Sequence, residues 1–106
     1  GPFTILINPI KSNLSPLVNE SSNYIGIRIP EHPFPIKIVE TLGKPIITTS
    51  VNKKNKPALN NIYEMEKIFP NIDIFRSNIN TNSKGSTIIN LTYESPKIIR
   101  YGDGAL

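Results

Sequence analysis

Proline is the residue that most limits how this chain can fold. Ten of its 106 residues are proline, and each one fixes φ and removes a backbone N–H donor. Asn8 and Pro9 interrupt the first apolar segment, so the start does not resemble a signal peptide. No later apolar run approaches the roughly 20 residues that cross a bilayer. The pattern predicts one small domain at most, made of short elements and without a membrane partner.

Strand-like and helix-like segments alternate along the chain. Pro33 and Pro35 suit the first turn of one predicted helix, which Gly43 ends, and Asn60 or Asn61 caps a second helix. The predicted strands comprise residues 3–7, 24–29, 46–48, 86–91 and 97–101, with a further brief strand at 72–75. Elements in this order predict an α/β fold, in which helices pack on a mixed sheet.

The composition excludes several kinds of site. The chain has no cysteine, which excludes disulfides, cysteine nucleophiles and thiolate metal sites. His32 is the single histidine, and neither a triad spacing nor a cluster of metal ligands accompanies it. We therefore expect a structural role for His32, no catalytic nucleophile and no resident metal.

The net charge of +4 is a weaker indication. A basic surface attracts anions, which slightly favours a phosphate-bearing partner. The basic residues are scattered, however, and no block of them forms a nucleic-acid-binding arm. An ordinary basic surface explains the charge equally well.

A cluster of small polar side chains follows the predicted strand at residues 46–48. Thr48, Ser50 and Asn52 alternate, so an extended backbone would direct all three to one side. Ligands of open α/β sheets bind at the carboxyl ends of strands, which makes these residues candidate ligand contacts. The alternative is turn and cap chemistry, for which Ser and Asn are common.

Two arginines lie beside apolar strand residues. Arg28 follows Ile27, and Arg100 follows Ile99. A guanidinium binds carboxylate or phosphate with two parallel hydrogen bonds, so the pair indicates a small anionic ligand. The alternative is an ion pair within the chain, for which the candidate carboxylates are Glu31, Glu40 and Asp73.

Five landmarks occur in order along the sequence: residues 1–4, 26–30, 45–52, 86–89 and 98–102. Together they resemble the YrdC-like family, the threonylcarbamoyl-adenylate synthases, over essentially the whole chain. The resemblance implies a YrdC-like α/β fold with a twisted mixed sheet and flanking helices. It also implies that residues 1–106 form the C-terminal portion of the domain, with the N-terminal part missing. Ala58 departs from the family, which often has a serine there, and Tyr24 replaces a smaller residue.

The resemblance implies an activity as well. Members of the family join ATP, L-threonine and bicarbonate into threonylcarbamoyl-AMP and release pyrophosphate. A partner, the threonylcarbamoyl-transferase complex, then modifies adenosine 37 of tRNA in the cytoplasm. By analogy the threonine-binding residues are Arg28, Thr48 and Ser86, and the nucleotide-binding residues are Ser50, Asn52 and Arg100. ATP is a substrate that brings Mg²⁺ with it, and no prosthetic group is expected.

Three alternatives remain open from the sequence. The first is a YrdC-like module that binds double-stranded RNA, whose affinity would fall steeply with salt. The second is a carbamoyl-transfer domain like that of hydrogenase maturation proteins, although their acylphosphatase-like and zinc-finger segments do not occur in this sequence. The third is a remnant without activity.

Overall fold

The structure, a computed structural model, describes residues 1–10, 14–19, 22–76 and 82–106. These ranges contain four strands, two α-helices and one short 3-10 helix, Pro16–Asn19. In chain order the main elements are β1 (Phe3–Ile7), β2 (Ile25–Ile27), α1 (Pro33–Leu42), α2 (Ile62–Ile68), β3 (Thr87–Asn90) and β4 (Lys97–Arg100).

The four strands form one mixed sheet in the order β2-β1-β3-β4. β1 is antiparallel to β2 and parallel to β3, and β3 is antiparallel to β4. The register of the last pair shifts between Ile88 and Ile89, as it does at a β-bulge. The mixed sheet confirms the predicted α/β fold class.

Two of the predicted strands are wrong. Residues 46–48 and 72–75 form no ladder with any described strand, and Ile47 is 82% exposed. A short apolar run satisfies strand periodicity, but it becomes a strand only where a neighbour pairs with its backbone. The cluster of Thr48, Ser50 and Asn52 therefore does not follow a strand.

Both predicted helices are present, with the expected caps at Gly43 and Asn61 and an N-cap, His32, that was not predicted. The Nδ1 atom of His32 accepts a hydrogen bond from the Phe34 backbone N–H at 3.1 Å, which confirms a structural role for this histidine. Gly43 ends α1 with φ of 62°, a conformation that favours glycine. Asn61 begins α2, where its Oδ1 accepts from the Tyr63 N–H at 2.9 Å.

The strand register divides the sheet into two faces of different chemistry. Residues that are directly opposite each other in neighbouring strands point to the same side. Most of one side, the apolar face, consists of isoleucine and phenylalanine: Phe3, Ile5, Ile7, Ile25, Ile27, Ile89 and Ile98. The other side, the polar face, carries hydroxyl, amide, guanidinium and ammonium groups among its residues: Thr4, Leu6, Gly26, Ile88, Asn90, Lys97 and Arg100.

The buried side chains of the described ranges are polar. Ser86, Thr87 and Asn90 are 5%, 0% and 3% exposed, and no described apolar side chain is fully buried. All three lie in or beside β3, which is an inner strand of the sheet. The fully buried positions of the sheet are thus hydrogen-bonded polar groups, whereas most side chains of the apolar face are half-buried and Ile27 is exposed.

The chain divides into two compact units. One comprises Gly1–Ile47 and Lys84–Leu106 and contains the sheet with α1, and the other comprises Thr48–Ser83 and contains α2. Of the predicted site residues, Arg28, Ser86 and Arg100 belong to the sheet unit. Ser50 and Asn52 belong, with Thr48, to the second unit.

Candidate functional site

Four polar side chains lie across the polar face, one in or beside each strand. We call Arg28, Thr4, Ser86 and Arg100 the polar row. Arg100 is opposite Ile88, and extending the β1–β2 register by one residue places Arg28 opposite Thr4. The two arginines occupy opposite edges of the sheet, three strand spacings or about 14 Å apart. The row thus has one cation at each end and two hydroxyls between them.

Arg100 is held in place by the residue that begins β3. Its Nε and Nη2 atoms donate to the Ser86 carbonyl oxygen at 3.0 and 2.7 Å. Nη2 also lies 3.2 Å from the Ser86 Oγ. Nη1 has no acceptor within the ranges that the structure describes, so the fixed guanidinium retains N–H donors for an anion.

Thr4 is a member of the polar row that the sequence analysis did not select. Its Oγ1 lies 2.6 Å from the Ser86 Oγ, and either hydroxyl can be the donor. The sequence pattern that could have identified it is the alternation of Phe3, Thr4 and Ile5. In a strand, the hydroxyl of Thr4 points to the side opposite its two apolar neighbours. Thr4 connects the inner strands β1 and β3 on the polar face.

Arg28 is weakly held by comparison. Its Nε donates to the Gly1 carbonyl oxygen at 3.4 Å, which is a long hydrogen bond. Within the described part of the sheet unit, neither Glu31 nor Glu40 is within ion-pair distance of it, so that alternative is wrong for these two partners. The Arg28 guanidinium is therefore exposed and able to bind an anion.

A seam of backbone and hydroxyl contacts fixes the end of β4 beside Arg100. The Thr87 Oγ1 donates to the Gly104 carbonyl at 2.7 Å and accepts from the Gly102 N–H at 2.9 Å. A Cβ at Gly102 would lie 2.2 Å from the Gly85 carbonyl oxygen, so only glycine allows this approach. We call these contacts the glycine seam, and they position the strand end that carries Arg100.

The candidate residues of the second unit show turn chemistry. The Ser50 Oγ donates to the Asn52 Oδ1, and the Asn52 Nδ2 donates to the Lys53 carbonyl at 3.0 Å. The structure thus brings Ser50 and Asn52 together, and it shows the local turn bonding that the sequence left as the alternative. Thr48 lies in the same non-strand segment and is exposed. The roles of all three in ligand binding stay predictions.

The second unit also contains an open groove of about 700 Å³. The loop beside it is closed by a hydrogen bond from the Leu59 N–H to the Val51 carbonyl at 2.8 Å. Its lining residues are Lys53, Lys56, Pro57, Ala58, Leu59, Asn60, Asn61, Glu64, Ile68 and Asn82. The two lysines were not selected from the sequence, although the run Lys-Lys-Asn-Lys contains them, and they give the groove a basic rim.

Neither a metal site nor a membrane-crossing helix is found in the described ranges. No group of three His, Asp or Glu side chains there is suited to hold a metal ion. No described helix has both the length and the apolar character that crossing a membrane requires.

Comparison with known proteins identifies the family. The model of the Sua5/YciO/YrdC family, described as "Telomere recombination", matches residues 1–102. The chain therefore belongs to the Sua5/YciO/YrdC family. The crystal structure of Escherichia coli YciO superposes with a TM-score of 0.82 at 25% identity, covering 99% of this chain and 52% of YciO. The sequence of YciO bears the name "Uncharacterized protein YciO".

Two similar relatives are named threonylcarbamoyl-AMP synthase. The one from Photobacterium profundum is 33% identical over 66 residues, which are 62% of this chain and 35% of that protein. The one from Psychromonas ingrahamii is 28% identical over 96 residues, which are 91% of this chain and 42% of that protein. The chain thus spans about half the length, or less, of these curated relatives.

Proposed function

We propose that this chain provides part of the active site of a threonylcarbamoyl-AMP synthase. The observation that carries the proposal is the polar row, in which a fixed Arg100 and an exposed Arg28 lie on one face of the sheet. Two guanidinium groups on one face suit a reaction whose substrates are all anionic or carry a carboxylate. The name that two relatives share supplies the particular reaction.

The proposed reaction has two steps. The amine of L-threonine attacks the carbon of bicarbonate and water leaves, which gives a carbamate. An oxygen of the carbamate then attacks the α-phosphorus of ATP, the bond from that phosphorus to the bridging oxygen breaks, and pyrophosphate leaves. Neither step needs a covalent intermediate on the protein. Catalysis then depends on positioning and on the stabilisation of phosphate charge.

The roles of the residues in the proposal follow the chemistry of their side chains. Arg28 would bind the threonine carboxylate, because its guanidinium is exposed and has no carboxylate partner among the described residues of the sheet unit. Arg100 would neutralise nucleotide phosphates with its remaining donors. Ser86 and Thr48 would complete the threonine site, and Ser50 and Asn52 would contact the nucleotide. Mg²⁺ would accompany ATP and supply further charge neutralisation.

The proposal also includes the next step for the product. Threonylcarbamoyl-AMP is a mixed anhydride and would be passed to a threonylcarbamoyl-transferase complex that modifies adenosine 37 of tRNA in the cytoplasm. The proposed partners of this chain are therefore ATP, L-threonine, bicarbonate and that complex.

Pyrophosphate release tests the proposal. The assay uses the purified chain and, in parallel, a chimera in which this chain replaces the matching region of the Psychromonas ingrahamii synthase. We expect the chimera to release pyrophosphate from ATP only when L-threonine and bicarbonate are both present, and to lose most of this activity in an Arg100→Ala variant. Release that continues without threonine would contradict the proposal. A folded chimera that releases none would contradict it as well.

A further inference from the structure

The hydroxyl of Ser86 lies in the middle of the polar row and has a polar neighbour on each side. The Thr4 Oγ1 atom is 2.6 Å from the Ser86 Oγ, and Nη2 of Arg100 donates to the same Oγ at 3.2 Å. Ser86 is only 5% exposed, whereas Thr4 is half-buried and Arg100 is exposed. The three side chains therefore form a short series of hydrogen bonds whose central oxygen has little contact with solvent.

The protons of this series of hydrogen bonds can be counted. A serine or threonine hydroxyl has one proton to donate and two lone pairs to accept, and a guanidinium only donates. Arg100 thus occupies one lone pair of the Ser86 Oγ. The bond between Ser86 and Thr4 uses one of the two hydroxyl protons, and neither hydroxyl has a further hydrogen bond to a described residue. One hydroxyl proton is left over and is available to an acceptor on a ligand.

A carboxylate ligand decides which of the two protons this is. An ionised carboxylate only accepts hydrogen bonds, so a Ser86 hydroxyl that contacts it must donate its own proton. The second lone pair of the Ser86 Oγ then accepts from Thr4. In this arrangement Ser86 accepts two hydrogen bonds, from Arg100 and Thr4, and each bond that its oxygen accepts strengthens the one that it donates.

Strand pairing holds the two hydroxyls together. β1 and β3 are parallel, with Thr4 opposite Ile88. The Thr87 N–H donates to the Pro2 carbonyl at 2.8 Å, which fixes the backbone directly beside Ser86. Thr4 is therefore positioned against Ser86 by the sheet itself and not by a loop.

We propose that Thr4 is a positioning residue for the binding of L-threonine. Its hydroxyl donates to the Ser86 Oγ and directs the Ser86 proton toward the threonine carboxylate. The inference rests on the proposed function, which assigns Ser86 to the threonine site, and it adds a residue to which that proposal gives no role. Thr4 acts through Ser86, so its effect is on the affinity for L-threonine and not on the affinity for ATP.

Paired substitutions at Thr4 test the inference in the Psychromonas ingrahamii chimera. Thr4→Val keeps the shape of the side chain and removes the hydroxyl, whereas Thr4→Ser keeps the hydroxyl. We expect Thr4→Val to raise the Kd for L-threonine, measured by calorimetry without ATP, about fivefold, which corresponds to the loss of one hydrogen bond. The KM for L-threonine should rise equally, while kcat and the KM for ATP change by less than about twofold. Thr4→Ser should bind L-threonine almost as well as the unsubstituted chimera.

Two further variants separate a positioning role from a structural one. Thr41→Val removes a hydroxyl that bonds to the Lys37 carbonyl on α1, and it should leave the Kd for L-threonine unchanged. Thr4→Val is also combined with Ser86→Ala. Because Thr4 acts through the Ser86 hydroxyl, Thr4→Val should have no further effect on this Kd once that hydroxyl is absent. Thr4→Ala replaces the valine variant in each comparison if the valine variant does not fold.

Several results would overturn the inference. One is an unchanged Kd for L-threonine in folded Thr4→Val, and another is an equal loss of affinity for L-threonine and ATP, which would indicate a structural role. Additive losses in the double variant would show that Thr4 does not act through Ser86. Weaker threonine binding in Thr4→Val that Thr4→Ser restores would support the inference even in a chimera that releases no pyrophosphate, a result that contradicts the proposed function alone.

Discussion

The two faces of the sheet are built from the same strands, but they differ in how far their side chains find partners within the chain. On the polar face, Thr4, Ser86 and Arg100 form a continuous set of hydrogen bonds across three strands. On the apolar face, Ile27 and Ile29 are 44% and 71% exposed. The polar face is organised by hydrogen bonds within this chain, whereas no described element of the sheet unit covers Ile27 and Ile29 of the apolar face.

This difference has a physical cause. Hydrogen bonds between neighbouring strands form as soon as the sheet forms, because the partners are a few ångströms apart. Burial of apolar surface needs a second layer, which the strands cannot supply for themselves.

Adding a side chain within the glycine seam is expected to destabilise the polar face more than any other substitution considered. Gly102→Ala would put a Cβ 2.2 Å from the Gly85 carbonyl oxygen and 2.6 Å from the Ser86 carbonyl carbon. Backbone atoms cannot move aside without opening the β3–β4 pair, so we expect the free energy of unfolding to fall by about 3 kcal/mol. Urea unfolding, followed by circular dichroism, measures this change.

Gly26→Ala is the matched control for that substitution. Its Cβ would lie 3.2 Å from Cδ2 of Leu6, the end of a flexible side chain that can shift. We expect a change within about 1 kcal/mol. Equal losses in the two variants would show that the seam has no special importance for the sheet.

Thr87 is the polar exception on the apolar side of the register, and removing its hydroxyl should have the next largest effect. Thr87→Val keeps the shape but removes the hydrogen bonds to the Gly104 carbonyl and from the Gly102 N–H. We expect a loss of about 2 kcal/mol, because both partners lose their bond. Faster hydrogen exchange at the Gly102 amide would locate the effect.

Thr41→Val provides the control for Thr87. The Thr41 Oγ1 also donates to a carbonyl, that of Lys37 at 2.7 Å, but on an exposed helix surface. We expect a change of about 0.5 kcal/mol or less there, because water replaces the lost bond. If both threonines have equally small effects, the buried hydroxyl is dispensable and the contrast between the faces is weaker than described.

Substitutions at the two ends of the polar row should raise the KM values of different substrates. In the Psychromonas chimera, Arg28→Ala is expected to raise the KM for L-threonine about tenfold and Arg100→Ala to raise the KM for ATP about tenfold, the loss of one charge-assisted hydrogen bond. Arg76→Ala is the control, because Arg76 is paired with Glu66 in the second unit. Unchanged constants for both substrates in both variants would remove these assignments.

The smallest signal is expected in a test for binding of double-stranded RNA. A double-stranded RNA module would lose affinity linearly in log–log plots as salt rises, with a slope set by the number of neutralised phosphates. With a net charge of +4 and scattered basic residues, we expect no saturable binding at 200 mM salt, a level at which affinities that depend on phosphate contacts are already strongly reduced. Saturable binding that Arg28→Ala and Arg100→Ala both weaken would instead make the polar face an RNA surface.

Much of the fold could be predicted from the sequence because its signals are local. The caps at Gly43 and Asn61 follow from side-chain and backbone chemistry within a few residues, whereas the N-cap at His32 was not predicted. The strands β1, β3 and β4 lie close to their predicted bounds, and β2 is shorter than residues 24–29. The strand expected at residues 46–48 failed because strand formation depends on a partner elsewhere in the chain.

The candidate site was only partly accessible to such reasoning. Residue chemistry alone selected Arg28, Ser86 and Arg100. It could not predict that Arg100 donates hydrogen bonds to the Ser86 carbonyl, or that the Thr4 hydroxyl bonds to the Ser86 hydroxyl. These contacts connect residues up to 82 positions apart in sequence. The Ser50–Asn52 contact is local, and it was anticipated as turn chemistry.

The sequence by itself determined the alternation within each strand, the helix caps at Gly43 and Asn61 and the exclusion of cysteine chemistry, since each depends on residue type and near neighbours. Only the tertiary structure decided that β1 lies between β2 and β3, because strand order depends on pairing across long connections. That order brings Arg28, Thr4, Ser86 and Arg100 onto one face. It also leaves the isoleucines of the opposite face together, where only another layer of polypeptide can bury them.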